Sequence, residues 1–276
     1  MTASPQPTLD QVIQWALKAG AIAREGFNRS HQVAFKGRTD LVTEIDYQIE
    51  QALVQAIHSA YPEHSILTEE AGAINGTSFL RWYIDPLDGT VNYAHQIPVY
   101  AVSIAFQDAE GIKLGVVYDP SRDECFSAQK GAGAWLNHDP LHVSAVNEVE
   151  KSLHATAFAR QDEVKFNRNL RYFAYLSRHS LGVRRMGSAA LELTYVACAR
   201  LDAYWEQGIN PWDIAAAALI VEEAGGVVTT PEGDPDYFKP PHAILAANPS
   251  LHPHLLELFA RLKDPATESA AHSPNV

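Results

Sequence analysis

Apolar positions in this chain switch between two periods, and the switches mark its elements. Leu9, Val12, Ile13, Ala16, Ala23 and Phe27 recur at helical spacing. Thr8 with Gln11 resembles a capping box, so a helix is predicted from there to about residue 28. Ile45, Ile49, Leu53, Ala56 and Ile57 predict a second helix that stops before Tyr61-Pro62. Between the two, residues 36–46 are charged and Gly-punctuated, and read as a mobile loop over a site. The period then shortens. Residues 65–68 read as a strand closed by Glu69-Glu70, and Trp82-Tyr83-Ile84 as a buried strand that runs into turn residues. Residues 100–106, 113–118, 124–128 and a short piece around Trp135 alternate in twos. Breaks at Glu110-Gly111, Asp119-Pro120 and Lys130-Gly131 make them an antiparallel meander.

Past about residue 150, helices and strands alternate. Strands are predicted at 153–159, 183–186, 203–206, 227–229 and 243–246, and helices at 162–178, 188–199 and 212–224. Ser188 caps one helix, Pro211 opens the next, Gly225-Gly226 closes it, and Ser250 caps a last helix to Lys263. The polar, Pro-rich start (residues 1–7) is expected to fray, and the Ala-, Ser- and Pro-rich tail from Asp264 to be disordered. The pattern predicts a mixed α+β fold in one compact unit. Its two halves, 1–150 and 151–276, divide where the pattern changes.

Composition narrows the function. With 276 residues, 46% hydrophobic and 20% charged, the chain fills a sizeable core in one large domain or two small packed ones. A net charge of −12 disfavours a broad nucleic-acid footprint. Cys125 and Cys198 form no C-x-x-C pattern, which argues against a disulfide framework or zinc knuckle and fits a reducing cytoplasm. The start carries no basic and apolar leader pattern, and the longest apolar run, 214–221, is too short to span a bilayer.

The candidate chemistry is acidic. Asp85 and Asp88 lie three apart at a strand's exit, with Gly89-Thr90 directly after. Carboxylates on a tight turn suit a hard divalent cation, and exposed amides beside them suit a phosphate. Asp-Pro and Asp-Gly are also ordinary turn dipeptides, so this stretch alone leaves both readings open. Asp213, in the first turn of a very apolar helix, either complements the helix dipole or delivers a ligand from the other half. Asp46, Glu69, Asp85, Asp88 and Asp213 together make five carboxylates near element ends. No His or Cys stands at ligand spacing beside them, so the set selects magnesium, manganese or calcium.

Four blocks resemble one family. Asp85-Pro86-Leu87-Asp88-Gly89-Thr90-Val91-Asn92-Tyr93 is similar to the first signature of inositol monophosphatases. Trp212-Asp213-Ile214-Ala215-Ala216-Ala217 through Glu223-Ala224-Gly225-Gly226 is similar to the C-terminal one. Leu41-Val42-Thr43-Glu44-Ile45-Asp46 and Thr68-Glu69-Glu70 match two further blocks, in order over about residues 8–262. The resemblance implies a layered α-β-α-β-α sandwich of the sugar phosphatase superfamily, usually homodimeric. It also implies magnesium-dependent, lithium-sensitive hydrolysis of phosphate monoesters. By the same resemblance, Glu69, Asp85 and the Leu87 carbonyl hold a first Mg²⁺, and Asp85, Asp88 and Asp213 a second. Glu69 helps a weaker third ion. Thr90, bonded to Asp46 and helped by Glu69, would position and deprotonate the attacking water. The amides of Gly89 and Thr90 would hold the phosphate, and Lys36 matches a loop position near the site.

Substrate choice falls to the second half. The segment Arg185-Met186-Gly187-Ser188-Ala189-Ala190 resembles the family's polyol-facing backbone. Glu206 matches the acid that accepts inositol hydroxyls, although a Glu at a strand end is by default surface. Tyr195, Tyr204 and Trp205 read as core rather than as a sugar platform. The small-molecule partner expected is myo-inositol 1-phosphate. Fructose 1,6-bisphosphate, histidinol phosphate, NADP and 3′-phosphoadenosine 5′-phosphate are alternatives with the same chemistry. Some bacterial relatives engage transcription machinery, so a regulatory role is the rival reading, but this chain keeps every metal ligand.

Overall fold

Each apolar stripe predicted above has a sheet to cover. The computed structural model describes residues 6–29, 33–35, 41–159 and 162–263. Helix α1 (Leu9–Phe27) is capped by Thr8, whose hydroxyl accepts from Gln11 N–H. Strands β1 (Val33–Phe35) and β2 (Leu41–Thr43) form a small antiparallel pair, and helix α2 (Glu44–Ala60) follows directly. Here the structure departs from the predicted loop. The β-branched Val42 and Thr43 pair as a strand, and Thr43 and Asp46 close a capping box that starts α2. Only residues 36–40 of that loop, with Lys36, lie outside the described residues, as do the first five residues and the tail from 264.

The first large sheet has eight strands. They are β3 (Ser65–Thr68), β4 (Gly72–Ile74), β5 (Arg81–Asp88), β6 (Ala101–Asp108), β7 (Gly111–Asp119), β8 (Glu124–Gln129), β9 (Gly133–Leu136) and β10 (Asp139–Pro140), with the short helix α3 (Thr90–Ala94) after β5. Their spatial order is β10-β9-β8-β7-β6-β5-β3-β4. From β5 onward it is the expected meander. The exception is β3, which runs parallel to β5 with Thr68 opposite Ile84, so Glu69 and Asp85 leave the sheet at the same edge.

The second half contributes β11 (Leu153–Thr156), α4 (Glu163–His179), β12 (Gly182–Arg184), α5 (Ala189–Ala197), β13 (Ala203–Gln207), α6 (Pro211–Glu223), β14 (Val227–Thr229), β15 (Ala243–Ala247) and α7 (His252–Lys263). The strands form a five-stranded sheet in the order β12-β11-β13-β15-β14. At α7 the cap is Asn248 rather than Ser250, because the Asn248 Oδ1 accepts from Ser250 and Leu251 N–H at 2.9 Å each.

Five layers result. Helices α1 and α2 cover one face of the large sheet, α5 and α6 fill the space between the sheets, and α4 and α7 cover the far face of the small one. Three apolar cores fill the four spaces between layers, the central one taking both sides of α5 and α6. The central one is shaped by small residues. Ala105, Gly115, Ala128 and Ala134 are neighbours across β6, β7, β8 and β9 and make a shallow trough. The buried run Ala215–Ala216–Ala217–Ala218 of α6 packs in this core. A Cβ added at Gly115 would stand 2.7 Å from the Ala216 carbonyl oxygen, so backbone meets backbone there. Tyr195, Tyr204 and Trp205 are core, as expected.

Candidate active site

The exit of β5 sets the geometry. In a regular strand, residues three apart point to opposite faces. The β5–β6 register shifts between Asp85, opposite Ser103, and Asp88, opposite Ala101, so β5 carries one extra residue there. That bulge at Pro86-Leu87 brings Asp85 and Asp88 to one cleft. Gly89 follows at φ 96°, and a Cβ on it would lie 2.8 Å from the Val99 carbonyl oxygen, so only glycine makes this turn. Gly89 caps α3, and the first amides of a helix have no acceptor within it. Gly89 and Thr90 line the cleft, which has a volume of about 420 Å³.

Helix α2 braces two of the cleft's turns from beneath. The Asp46 carboxylate is fully buried and takes the Thr43 N–H at 2.9 Å, the Thr43 hydroxyl at 2.5 Å and the Thr90 hydroxyl at 3.0 Å. Thr90 Oγ1 lies equally far from the Leu87 carbonyl oxygen. Burial pushes the Asp46 carboxyl up from its ordinary range, and these donors oppose the shift. One turn along α2, the buried Glu50 carboxylate accepts the Thr68 hydroxyl at 2.5 Å and the amides of Glu70 and Ala71 at 3.0 and 3.3 Å. It thereby fixes the turn that carries Glu69 into the cleft.

The second half supplies the other wall. Asp213 sits in the first turn of α6, where its Oδ2 accepts the Asn210 N–H at 2.9 Å. Ser188, the cap of α5, donates its hydroxyl to Asp88 Oδ2 at 2.6 Å, and Ala190 N–H adds a second bond at 2.8 Å. Asp88 therefore ties the two halves together. Glu206, near the end of β13, lines the cleft and accepts a short hydrogen bond from the Tyr204 hydroxyl.

These acids strain one another electrostatically. Burial, then the charges of Glu69, Asp88 and Asp213, push Asp85 well above the usual carboxylate range. Burial, then Asp88 and Glu69, do the same to Asp213. Asp88 rises to about 6, chiefly by burial, against the lowering bonds from Ser188 and Ala190. Burial carries Glu206 to about 7.

Whether a cation fits is a question of donors. The carboxylates line the cleft without closing into a finished cage: among the described residues no three His, Cys, Asp or Glu side chains converge on one point. The donor chemistry nevertheless fits a hard ion. Asp85, Asp88 and Asp213 each have a carboxylate oxygen held by protein donors, and all three line the cleft. Among the described residues no Lys or Arg forms an ion pair with any of the three.

Comparison with known proteins agrees with this geometry. The sequence model of the inositol monophosphatase family matches residues 4–264. The chain belongs to that family. It is 42% identical over 257 residues to an inositol-1-monophosphatase of Synechocystis sp., covering 92% of this chain and 89% of that one. It is 36% identical to the Nus factor SuhB of Escherichia coli, over 95% and 98% of the two chains. The fold is similar to a solved inositol monophosphatase from Anabaena, with TM-score 0.82, 40% identity and coverage of 91% and 94%. It is also similar to the extragenic suppressor protein suhB of Bartonella henselae, with TM-score 0.86, 36% identity and coverage of 91% and 97%.

Within this inositol monophosphatase fold, the cleft gathers Glu69, Asp85, Leu87, Asp88, Gly89, Thr90, Gly187, Ser188, Ala189, Glu206 and Asp213. Asp46 stands beneath it through Thr90. Sequence reasoning missed Asn92 and Glu192 as lining residues, and Glu50 below. A signal existed for Glu50. It follows Asp46 by four residues, on the same helix face as Leu53 and Ile57, where a solvent-facing acid has no place.

Proposed function

We propose that the chain is a magnesium-dependent phosphate monoester hydrolase with myo-inositol 1-phosphate as its substrate. One observation carries the reading. A single cleft holds six acids from both halves, Glu69, Asp85, Asp88, Glu192, Glu206 and Asp213, beside the Gly89–Thr90 turn, with the Thr90 hydroxyl bonded to a buried carboxylate. Glu69, Asp85, the Leu87 carbonyl, Asp88 and Asp213 would hold the magnesium ions, which neutralise phosphoryl charge and acidify water. The amides of Gly89 and Thr90 grip the phosphoryl oxygens. Thr90 orients the water through its hydroxyl, and Asp46, held by Thr43, takes up the proton. Glu206 accepts hydrogen bonds from hydroxyls of the leaving group. The family reading extends to lithium sensitivity, a homodimer and a cytoplasmic place. Among the described residues no helix is long and apolar enough to cross a membrane.

The test is phosphate release from inositol 1-phosphate, fructose 1,6-bisphosphate, histidinol phosphate, NADP and 3′-phosphoadenosine 5′-phosphate, with magnesium and after chelation. Release that requires magnesium and is fastest on inositol 1-phosphate supports the reading. Full activity after chelation, or none on any substrate, sinks it. Relatives named as Nus factors favour a second, partner-binding role beside catalysis, which a variant lacking the Thr90 hydroxyl would separate from turnover.

A further inference from the structure

The segment 185–188 walls the cleft, yet it belongs to neither a helix nor a strand, since β12 ends at Arg184 and α5 begins at Ala189. It is held at one residue from two sides. Met186 N–H donates to Glu192 Oε1 at 2.7 Å, and the Met186 carbonyl accepts Asn92 Nδ2–H at 2.7 Å. The same Asn92 amide donates to Val99 O at 2.8 Å, which anchors it on the α3 side. Gly187 then turns at φ 85° toward Ser188 and the bonds to Asp88.

Glu192 is an odd occupant for its place. It sits in the first turn of α5 among Leu191, Leu193 and Val196, is 0% exposed, and faces the cleft. Its Oε2 is buried with no hydrogen-bond partner among the described residues. A buried carboxyl with an orphan oxygen lowers stability, and an apolar residue would fill the position better. Burial, and after it the Glu206 and Asp88 charges, raise its carboxyl well above the usual range, and Glu206 lines the same cleft. Arg185, over the Phe158 ring at 5.8 Å, lines it as well.

We propose that Glu192 is a positioning residue for leaving-group selection: through the Met186 amide it sets where the 185–188 wall stands against the group Glu206 contacts. The inference rests on the hydrolase reading above. Glu192 acts through backbone, so its contribution appears in how well a bulky polyol is seated rather than in the attack on phosphorus.

The experiment compares kcat/KM for inositol 1-phosphate and p-nitrophenyl phosphate, whose leaving group has no ring hydroxyls to seat. Wild type, Glu192→Gln, Glu192→Leu and Asn92→Ala are each assayed with their thermal midpoints. Glu192→Leu leaves the half-buried Met186 N–H without its acceptor, so about a 10- to 100-fold loss is expected on inositol 1-phosphate. The loss on p-nitrophenyl phosphate is expected to be about tenfold smaller. Glu192→Gln keeps an acceptor and should hold the wild-type ratio to within about threefold. Asn92→Ala cuts the strap from its other end and should shift the ratio the same way, which keeps the test decisive if Glu192→Leu does not fold. Equal losses on both substrates, a Gln variant as unselective as the Leu one, or an unmoved ratio in Asn92→Ala overturns the proposal. A wild type that hydrolyses neither ester fails earlier, and brings down the hydrolase reading with it.

Discussion

Removing one charge from the cleft should make the metal-free protein more stable and the magnesium-loaded protein worse. Asp88→Asn is the perturbation. Its amide oxygen still accepts from Ser188 and Ala190, so packing and both bonds survive while the charge goes. Asp88 titrates at about 6 in the fold against its ordinary 3.8. Keeping it ionised at pH 7.5 therefore costs about 3 kcal/mol. Water in the cleft screens part of that, so the figure is an upper bound. For a chain of this size it corresponds to about 6–12 °C in thermal midpoint. The sign follows from the raised value. The penalty is absent below the unfolded-state pKa and complete once pH rises past the folded-state one. The variant's gain without magnesium should thus be full at pH 7.5 and only about half as large at pH 5. Saturating magnesium should reverse the order, because only wild type offers the full set of carboxylates. Differential scanning calorimetry with chelator and with magnesium reads all four conditions. A variant no more stable than wild type at pH 7.5 without metal, or equally stabilised at both pH values, refutes the reasoning.

The other expectations are simpler. Thr90→Val keeps shape but loses the hydroxyl shared by Asp46 and Leu87, and should cost about 10²–10⁴-fold in kcat with little change in KM. Near-normal turnover would leave Thr90 only a turn-closing role. Glu206→Ala should lower kcat/KM on inositol 1-phosphate by about 10- to 150-fold, and on glycerol 2-phosphate far less. Equal losses would remove the hydroxyl contact. Glu50→Ala orphans the Thr68 hydroxyl and the Glu70 and Ala71 amides, for about 2–4 kcal/mol in urea unfolding. It should also raise the magnesium needed for half-maximal activity, and an unmoved magnesium requirement would confine Glu50 to stability.

Legibility followed the length over which a signal repeats. The stripes of α1 and α2, and the alternation of β6, β7 and β8, repeat often enough to read to within about two residues. Short pieces did not: β4 has three residues and no alternation to speak of, and β2 was hidden in a charged stretch. The cleft was legible where acids stand near the ends of elements, as at Glu69, Asp85 and Asp213. It was illegible at Glu192, inside a helix, because a lone carboxylate there looks like solvent-facing decoration until the neighbouring layer is known. The bond from Ser188 to Asp88 spans residues that no local pattern connects.

The trough of small residues under α6 has a consequence for how this protein can change. At Gly115 the helix already touches the sheet backbone, so it has no room to settle deeper and can only be lifted. The same helix carries Asp213 at its first turn. A larger side chain anywhere along Ala105, Gly115, Ala128 or Ala134 would therefore act on the site at a distance, by raising one acid away from the others while touching none of them. Ordinary drift in the deepest core becomes a route by which the spacing of the cleft is retuned, and the interior is inherited as part of the site.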